Sequence, residues 1–232
     1  MFYITGDTHG NFAGVIYFIK KLGLTSEDTI IILGDAGFNY YGGKKDNQIK
    51  ELIKDTGVNI FCIHGNHERR PETIDTYKLV DFCGGKAYVE DAYPNIYFGK
   101  DGEIFDFNGL STIVIGGAYS IDEHYRLMRG WHWFEDEQPS EEIKKYVEEQ
   151  LEKNDWKIDV VLTHTCPESL EPTEWFLDFV DQSTVDKSTE KWLETIREKL
   201  TYKYWFCGHF HGEKITDQIR FFFENFDKYP NN

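Results

Sequence analysis

Asp7, His9, Asp35, Asn66, His164, His209 and His211 all lie just beyond short apolar runs, and each offers an oxygen or nitrogen donor. His67 stands next to Asn66 in the stretch Ile60–Glu68, where IFCI is followed by HGNHE. A donor set of imidazoles, carboxylates and a side-chain carbonyl, without thiolate, suits manganese, iron or zinc. Seven donors exceed what one tetrahedral or octahedral ion normally takes from protein, so two ions sharing one carboxylate is the economical arrangement. Taken singly, a Gly-Asp pair is a turn whose Asp bonds its own backbone, and a lone strand-end histidine is structural more often than not. Five apolar runs ending the same way argue against that reading.

The elements that must position these groups are legible as pattern. Phe2–Thr5, Thr29–Leu33, Ile60–Ile63, Asp159–Leu162 and Lys203–Cys207 read as short buried strands. Helical spacing appears in Phe12, Val15, Ile16, Ile19 and Leu22, in Ile49, Leu52 and Ile53, and in Trp192, Leu193, Ile196 and Leu200. Ser140 caps a further helix carrying Ile143, Val147 and Leu151. Strands alternating with helices predict an α/β fold, and ligands of such sheets bind beyond the carboxyl ends of the strands. AGFNYYGGKKD reads as a loop, and RRPETIDTYKL as loop and short helix. From Ala87 to Ala118, short runs separated by Lys100-Asp101-Gly102 and Asn108-Gly109 read as a meander forming a second sheet. No linker or repeat divides the chain, so residues 1–232 are expected to form a single domain. The excursion from Glu168 to Ser188 is too long for an ordinary connection and is a candidate lid or substrate wall, with Asp181, Gln182 and Ser183 as candidate lining residues.

In order along the chain, GD-x-HG, GD, GNHE, a lone strand-end histidine and GH-x-H resemble the motifs of the calcineurin-like metallophosphoesterase superfamily. The resemblance spans Asp7 to His211. It implies a four-layer α/β/β/α sandwich of two mixed sheets with a binuclear site at the C-terminal strand ends. By that likeness Asp7, His9 and His211 hold one divalent ion, Asn66, His164 and His209 hold the other, and Asp35 bridges them. Manganese is the first expectation for both, with iron or zinc as alternatives. The activity implied is hydrolysis of a phosphomonoester or small phosphodiester by a metal-bridging hydroxide, with His67 as proton donor. A nuclease or cyclic-nucleotide phosphodiesterase is the alternative within the enzyme class. A catalytically silent interaction scaffold is the alternative outside it, and the complete donor set with His67 weighs against that.

The chain departs from the protein Ser/Thr phosphatase branch in its second motif. Where that branch has GD-x-VDRG, with an Asp that orients the catalytic His and an Arg that grips phosphate, Phe38 and Asn39 stand here. Asn does not replace a bidentate Arg clamp. Arg69, Arg70, Arg126 and Arg129 are therefore the expected sources of a substrate contact, with Asn39 and His132 as lesser candidates. Trp131 and Trp133 flank His132 and would offer an aromatic platform to a base or aromatic leaving group. The formal charge of −16, from 25 Lys+Arg against 41 Asp+Glu, disfavours extended nucleic acid and leaves a small phosphorylated substrate as the expected partner. Neither a leader nor a membrane-length apolar run is visible, so the expected location is cytoplasmic, and the oligomeric state is left open. Cys62, Cys83, Cys166 and Cys207 lack CxxC spacing and read as ordinary thiols.

Overall fold

The computed structural model describes residues 1–231. The chain runs β1 (Phe2–Thr5), α1 (Ala13–Leu22), β2 (Thr29–Ile32), α2 (Lys44–Lys54) and β3 (Asn59–Cys62). It continues through β4 (Tyr77–Phe82), β5 (Gly85–Glu90), β6 (Tyr93–Gly99), β7 (Ile104–Phe107) and β8 (Leu110–Ile115). Then come α3 (Glu123–Arg129), α4 (Glu141–Lys153), β9 (Val160–Thr163), α5 (Ser188–Lys199), β10 (Tyr204–Cys207), β11 (Lys214–Ile215), β12 (Arg220–Phe221) and β13 (Asp227–Lys228).

Two mixed sheets result. One has the order β13-β1-β2-β3-β6-β5-β4 and the other β11-β12-β10-β9-β8-β7. Strand alternation explains why they stack. Ile30 and Ile32 of β2 face Val15 and Ile19 of α1 and Ile53 of α2, whereas Ile31 and Leu33 face the opposite sheet. The inner layer joins Ile4, Ile31 and Phe61 to Phe105, Val114, Leu162 and Phe206. Beyond the second sheet, Val147 and Leu151 of α4 and Leu193 and Ile196 of α5 cover Ile113, Val161 and Trp205. Helix, sheet, sheet and helix are thus the four expected layers. β1, β2 and β3 are mutually parallel, as are β8, β9 and β10, so both sets of carboxyl ends emerge at one edge of the sandwich.

Three details differ from the sequence reading. The meander is not one sheet: β5 and β6 extend the first sheet, β6 lying parallel to β3, and only β7 and β8 join the second. Lys100-Asp101-Gly102 therefore crosses between sheets rather than closing a hairpin. Asp101 fixes the crossing, one carboxylate oxygen accepting from the Gly116 N–H (2.7 Å) and the other from Arg70 (2.7 Å). Tyr77–Leu79, read as loop or short helix, opens the edge strand β4, whose half-exposed alternation leaves little apolar signal. α2 begins at Lys44, inside the segment read as loop. Cys62, Cys166 and Cys207 are buried free thiols and Cys83 is a half-buried one. Among the described residues, no helix is long and apolar enough to cross a membrane.

Phe61 packs against Phe82, Phe105 and Phe107 in the layer between the sheets, with ring centroids 4.9–5.6 Å apart. Replacement of Phe61 by Ala should lower unfolding stability by about 3–5 kcal/mol, read from the urea midpoint at constant slope.

Candidate metal centre

Every donor arrives on the loop that leaves a parallel strand: Asp7 after β1, Asp35 after β2, Asn66 after β3, His164 after β9 and His209 after β10. Four residues of this group, His9 (φ 47°), Asp35 (φ 49°), His209 (φ 66°) and His211 (φ 50°), hold left-handed backbone. That conformation is uncommon for histidine and is retained where a side chain is needed for function. The motif glycines let neighbouring donors close in. A Cβ on Gly34 would lie 2.0 Å from His164 Nδ1, and one on Gly65 would lie 2.0 Å from Asp35 Oδ1. Gly34, Gly65 and Gly208 each leave space for the donor of another strand, whereas Gly6 lets the backbone of Phe222 approach.

Asp35 is the junction. Its carbonyl accepts the His9 N–H (2.7 Å) and its Oδ1 accepts the His67 N–H (2.7 Å). Its Oδ2 faces His164 Nε2 (3.7 Å), His67 Nδ1 (3.8 Å) and His9 Nδ1 (3.9 Å). Burial alone would raise its carboxyl, but His164, His67 and His9 together with the His67 N–H hold it well below the usual carboxylate range. Asp7 Oδ1 accepts the His209 N–H (3.0 Å), while its buried Oδ2 takes no hydrogen bond and lies 3.3 Å from His211 Nε2. His9 Nε2 and His211 Nε2 approach to 2.9 Å. His209 is half-buried, its ring 5.0 Å from that of His164.

The arrangement around His164 tests whether these groups fit cations. His164 Nδ1 lies 2.8 Å from the Leu33 carbonyl and must carry the proton there, so neutral His164 presents a lone pair at Nε2. Asn66 Nδ2 donates to Ser120 Oγ (2.8 Å), which turns its Oδ1 toward His164 Nε2 at 2.8 Å. Two acceptors aimed at each other, beside the unpartnered Asp7 Oδ2, are what a divalent cation resolves. Asp7 with His9 and His211, His9 with Asp35 and His67, and Asp7 with Asp35 and His164 form three groups whose donor atoms lie within 4.8 Å of one another. The donor set fits metal.

The arginines part company. Arg126 is buried at the C-terminal half of α3, with Nε donating to Asp122 (2.8 Å) and Nη1 to the His132 carbonyl (3.1 Å). Its Nη2 lies 2.7 and 2.9 Å from the two ring nitrogens of His67. Arg70 is buried elsewhere, donating to Asp101 and to the Asp136 carbonyl (2.7 Å each). Arg69 and Arg129 are exposed, the latter over the Tyr125 ring at 5.1 Å. Asn39 is buried, with Oδ1 accepting from Tyr77 Oη (3.0 Å). His132 and Trp131 form, with Tyr40 and Tyr41, a separate aromatic concavity, and Trp133 is half-buried. His64, the first histidine of the HGNHE stretch, turns inward with neither ring nitrogen bonded.

Several residues escaped the sequence reading. Glu68 accepts from the Gly65 N–H (3.2 Å) and the Gly37 N–H (3.3 Å), tying two motif loops together, and burial pushes it up to about 8. Ser120, held by Glu137 through its N–H (2.9 Å), orients Asn66. Asp122 Oδ1 lies 3.8 Å from His67 Nε2. The Asp122–Arg126 spacing on one helix face was the available signal for that pair. Ser120, after a strand that ends in no histidine, offered none.

A family model described as calcineurin-like phosphoesterase matches residues 1–213. No curated protein matches the chain. Among solved structures, TT1561 of Thermus thermophilus aligns at 12% identity with a TM-score of 0.51, covering 95% of this chain and 87% of its own. A phosphopantetheinyl hydrolase from Mycobacterium tuberculosis aligns at 16% identity with a TM-score of 0.46, covering 96% and 87%. At these identities the Thermus likeness speaks to the fold alone.

Loss of the Ser120 hydroxyl should free the Asn66 amide to rotate. Ser120→Ala is expected to weaken retention of metal about 10–100-fold in chelator competition, with an unchanged circular dichroism spectrum.

Proposed function

The chain belongs to the calcineurin-like phosphoesterase family of hydrolases, and on that premise we propose that it cleaves a small phosphomonoester or phosphodiester at a two-metal site. The observation that carries this reading is Asp35, one buried carboxylate facing ring nitrogens of three histidines within 3.9 Å. Asp7, His9 and His211 would hold one divalent cation and Asn66, His164 and His209 the other, with Asp35 shared. Manganese is our first assignment for both. When bound, the pair supplies positive charge at the phosphoryl oxygens and a water made acidic enough to attack at neutral pH.

The remaining work falls to the chain. His67 delivers a proton to the leaving oxygen; the bond from its N–H to Asp35 fixes its backbone at the junction. Arg126 sets its Nη2 against the ring nitrogens of His67 and binds a non-bridging phosphoryl oxygen, held in place by Asp122. α3 and its N-cap thereby provide the acid–arginine pair that the protein Ser/Thr phosphatase branch carries where Phe38 and Asn39 stand here. The ion pair of Arg70 with Asp101 favours a structural role for that arginine. A small substrate, rather than extended nucleic acid, agrees with the net charge of −16.

The test is turnover of p-nitrophenyl phosphate and bis-p-nitrophenyl phosphate by metal-stripped protein as Mn²⁺ is restored. Wild type should recover activity and Asp35→Asn should not. His67→Ala should retain metal but lose about 10²–10⁴-fold in kcat. Wild type carrying two metals yet hydrolysing neither ester, or an active Asp35→Asn, would refute the proposal. Arg126→Ala should raise KM and the inhibition constant for inorganic phosphate together, with Arg126→Lys recovering part of each.

A further inference from the structure

The cavity that contains Asp35, Asn66, His67, His209 and His211 has a volume of about 400 Å³ and extends well past the donors. That is more than a phosphoryl group requires and within the range of sites enclosing whole small molecules. Much of the rest of its wall is apolar, built from Tyr119, Ile121, Trp175, Phe176, Leu177 and Phe210. Trp175 is anchored there: a Cβ on Gly212 would lie 2.7 Å from its indole, and its ring meets Phe221 edge-on at 5.6 Å.

The charge of the chamber is distinctive. Its only lysine or arginine among the described residues is Lys187, whose ammonium is 2.6 Å from Glu171 and 5.1 Å over the Phe176 ring. No free cation remains for a second phosphate or a carboxylate. Glu190, in the first turn of α5, lines the same cavity and is 5% exposed. Its Oε1 accepts from Thr165 Oγ1 (2.7 Å), while its buried Oε2 receives no hydrogen bond from the described residues. Glu190 thus borders the chamber while one of its carboxylate oxygens, buried just behind the wall, lacks a donor, which is unfavourable until one reaches it.

We infer that the leaving group of the natural phosphoester is an apolar chain or ring bearing an N–H, as amine or amide, that enters this chamber and donates to Glu190 Oε2. The inference rests on the phosphoesterase reading and deepens it. Burial pushes Glu190 up to about 7, and a donor arriving from the ligand restores its ionised form. The apolar walls take up the body of the group, and the ester oxygen remains beside His67.

Alkyl monophosphates of graded chain length separate the possibilities. Each length is made with a terminal acetamide, a terminal ammonium or an isosteric acetate ester that lacks the N–H. At the best length, wild type loaded with Mn²⁺ should favour acetamide or ammonium over acetate by at least about tenfold in kcat/KM, and the two nitrogen arms tell amide from amine. Glu190→Gln can keep the Thr165 bond through its amide oxygen and turn an NH₂ into the chamber, so the preference should vanish or reverse. Calorimetry with the corresponding free alcohols should show the same preference without turnover. Equal kcat/KM for the three termini at every length, or a preference unchanged in Glu190→Gln, overturns the Glu190 contact while p-nitrophenyl phosphate turnover leaves the phosphoesterase reading standing. Loss of turnover on every ester, p-nitrophenyl phosphate included, overturns both.

Discussion

A single carboxylate, Asp35, ties the two halves of the site together. Its backbone carbonyl anchors the loop carrying His9, its Oδ1 anchors the loop carrying His67, and its Oδ2 faces three imidazoles. Burying such a group without compensation would be costly, and here the compensation comes from every adjacent strand end. The strained backbone at Asp35 and at three of the histidines is held by the same network. Gly34 and Gly65 make it possible, because any larger residue would drive a Cβ into His164 or into Asp35 itself.

The surrounding fold follows from that need for convergence. Parallel strands bring their carboxyl ends to one edge, and two sheets stacked through an apolar layer bring two such edges together. β1, β2 and β3 supply Asp7, Asp35 and Asn66, while β9 and β10 supply His164 and His209. Glu68 fastens the motif loops from within, and Ser120 fastens Asn66 from the second sheet's side. Short loops on stacked strands hold the donors in place, which suits chemistry that depends on placing charge accurately.

Other elements complete the surroundings of this centre. The acid–arginine pair contacts His67 from α3 rather than from the loop after β2. The long segment after β9 closes the outer wall in three single 3₁₀ turns, Glu168–Leu170, Thr173–Trp175 and Gln182–Thr184. Its Gln182 lines the cavity, whereas Asp181 and Ser183 bond to each other.

The strand-end motifs were legible in sequence because the chemistry leaves few substitutes. A donor must follow a buried strand, and a glycine must precede several of the donors, so both leave marks that local reading detects. The alternation of β2 and the spacing of α1, α4 and α5 were legible for the same reason, since each must bury one face. Tertiary structure alone decided which strands pair: Lys100-Asp101-Gly102 has the local chemistry of a hairpin, and only Arg70 and Gly116, brought close by folding, make Asp101 a crossing between sheets. It also separated four similar arginines into one against His67, one locked to Asp101 and two in solvent. Glu190 and the aromatic residues that line the same cavity were equally silent in sequence. Their meaning lies in a cavity formed by segments far apart in the chain, and nothing local to any of them records it.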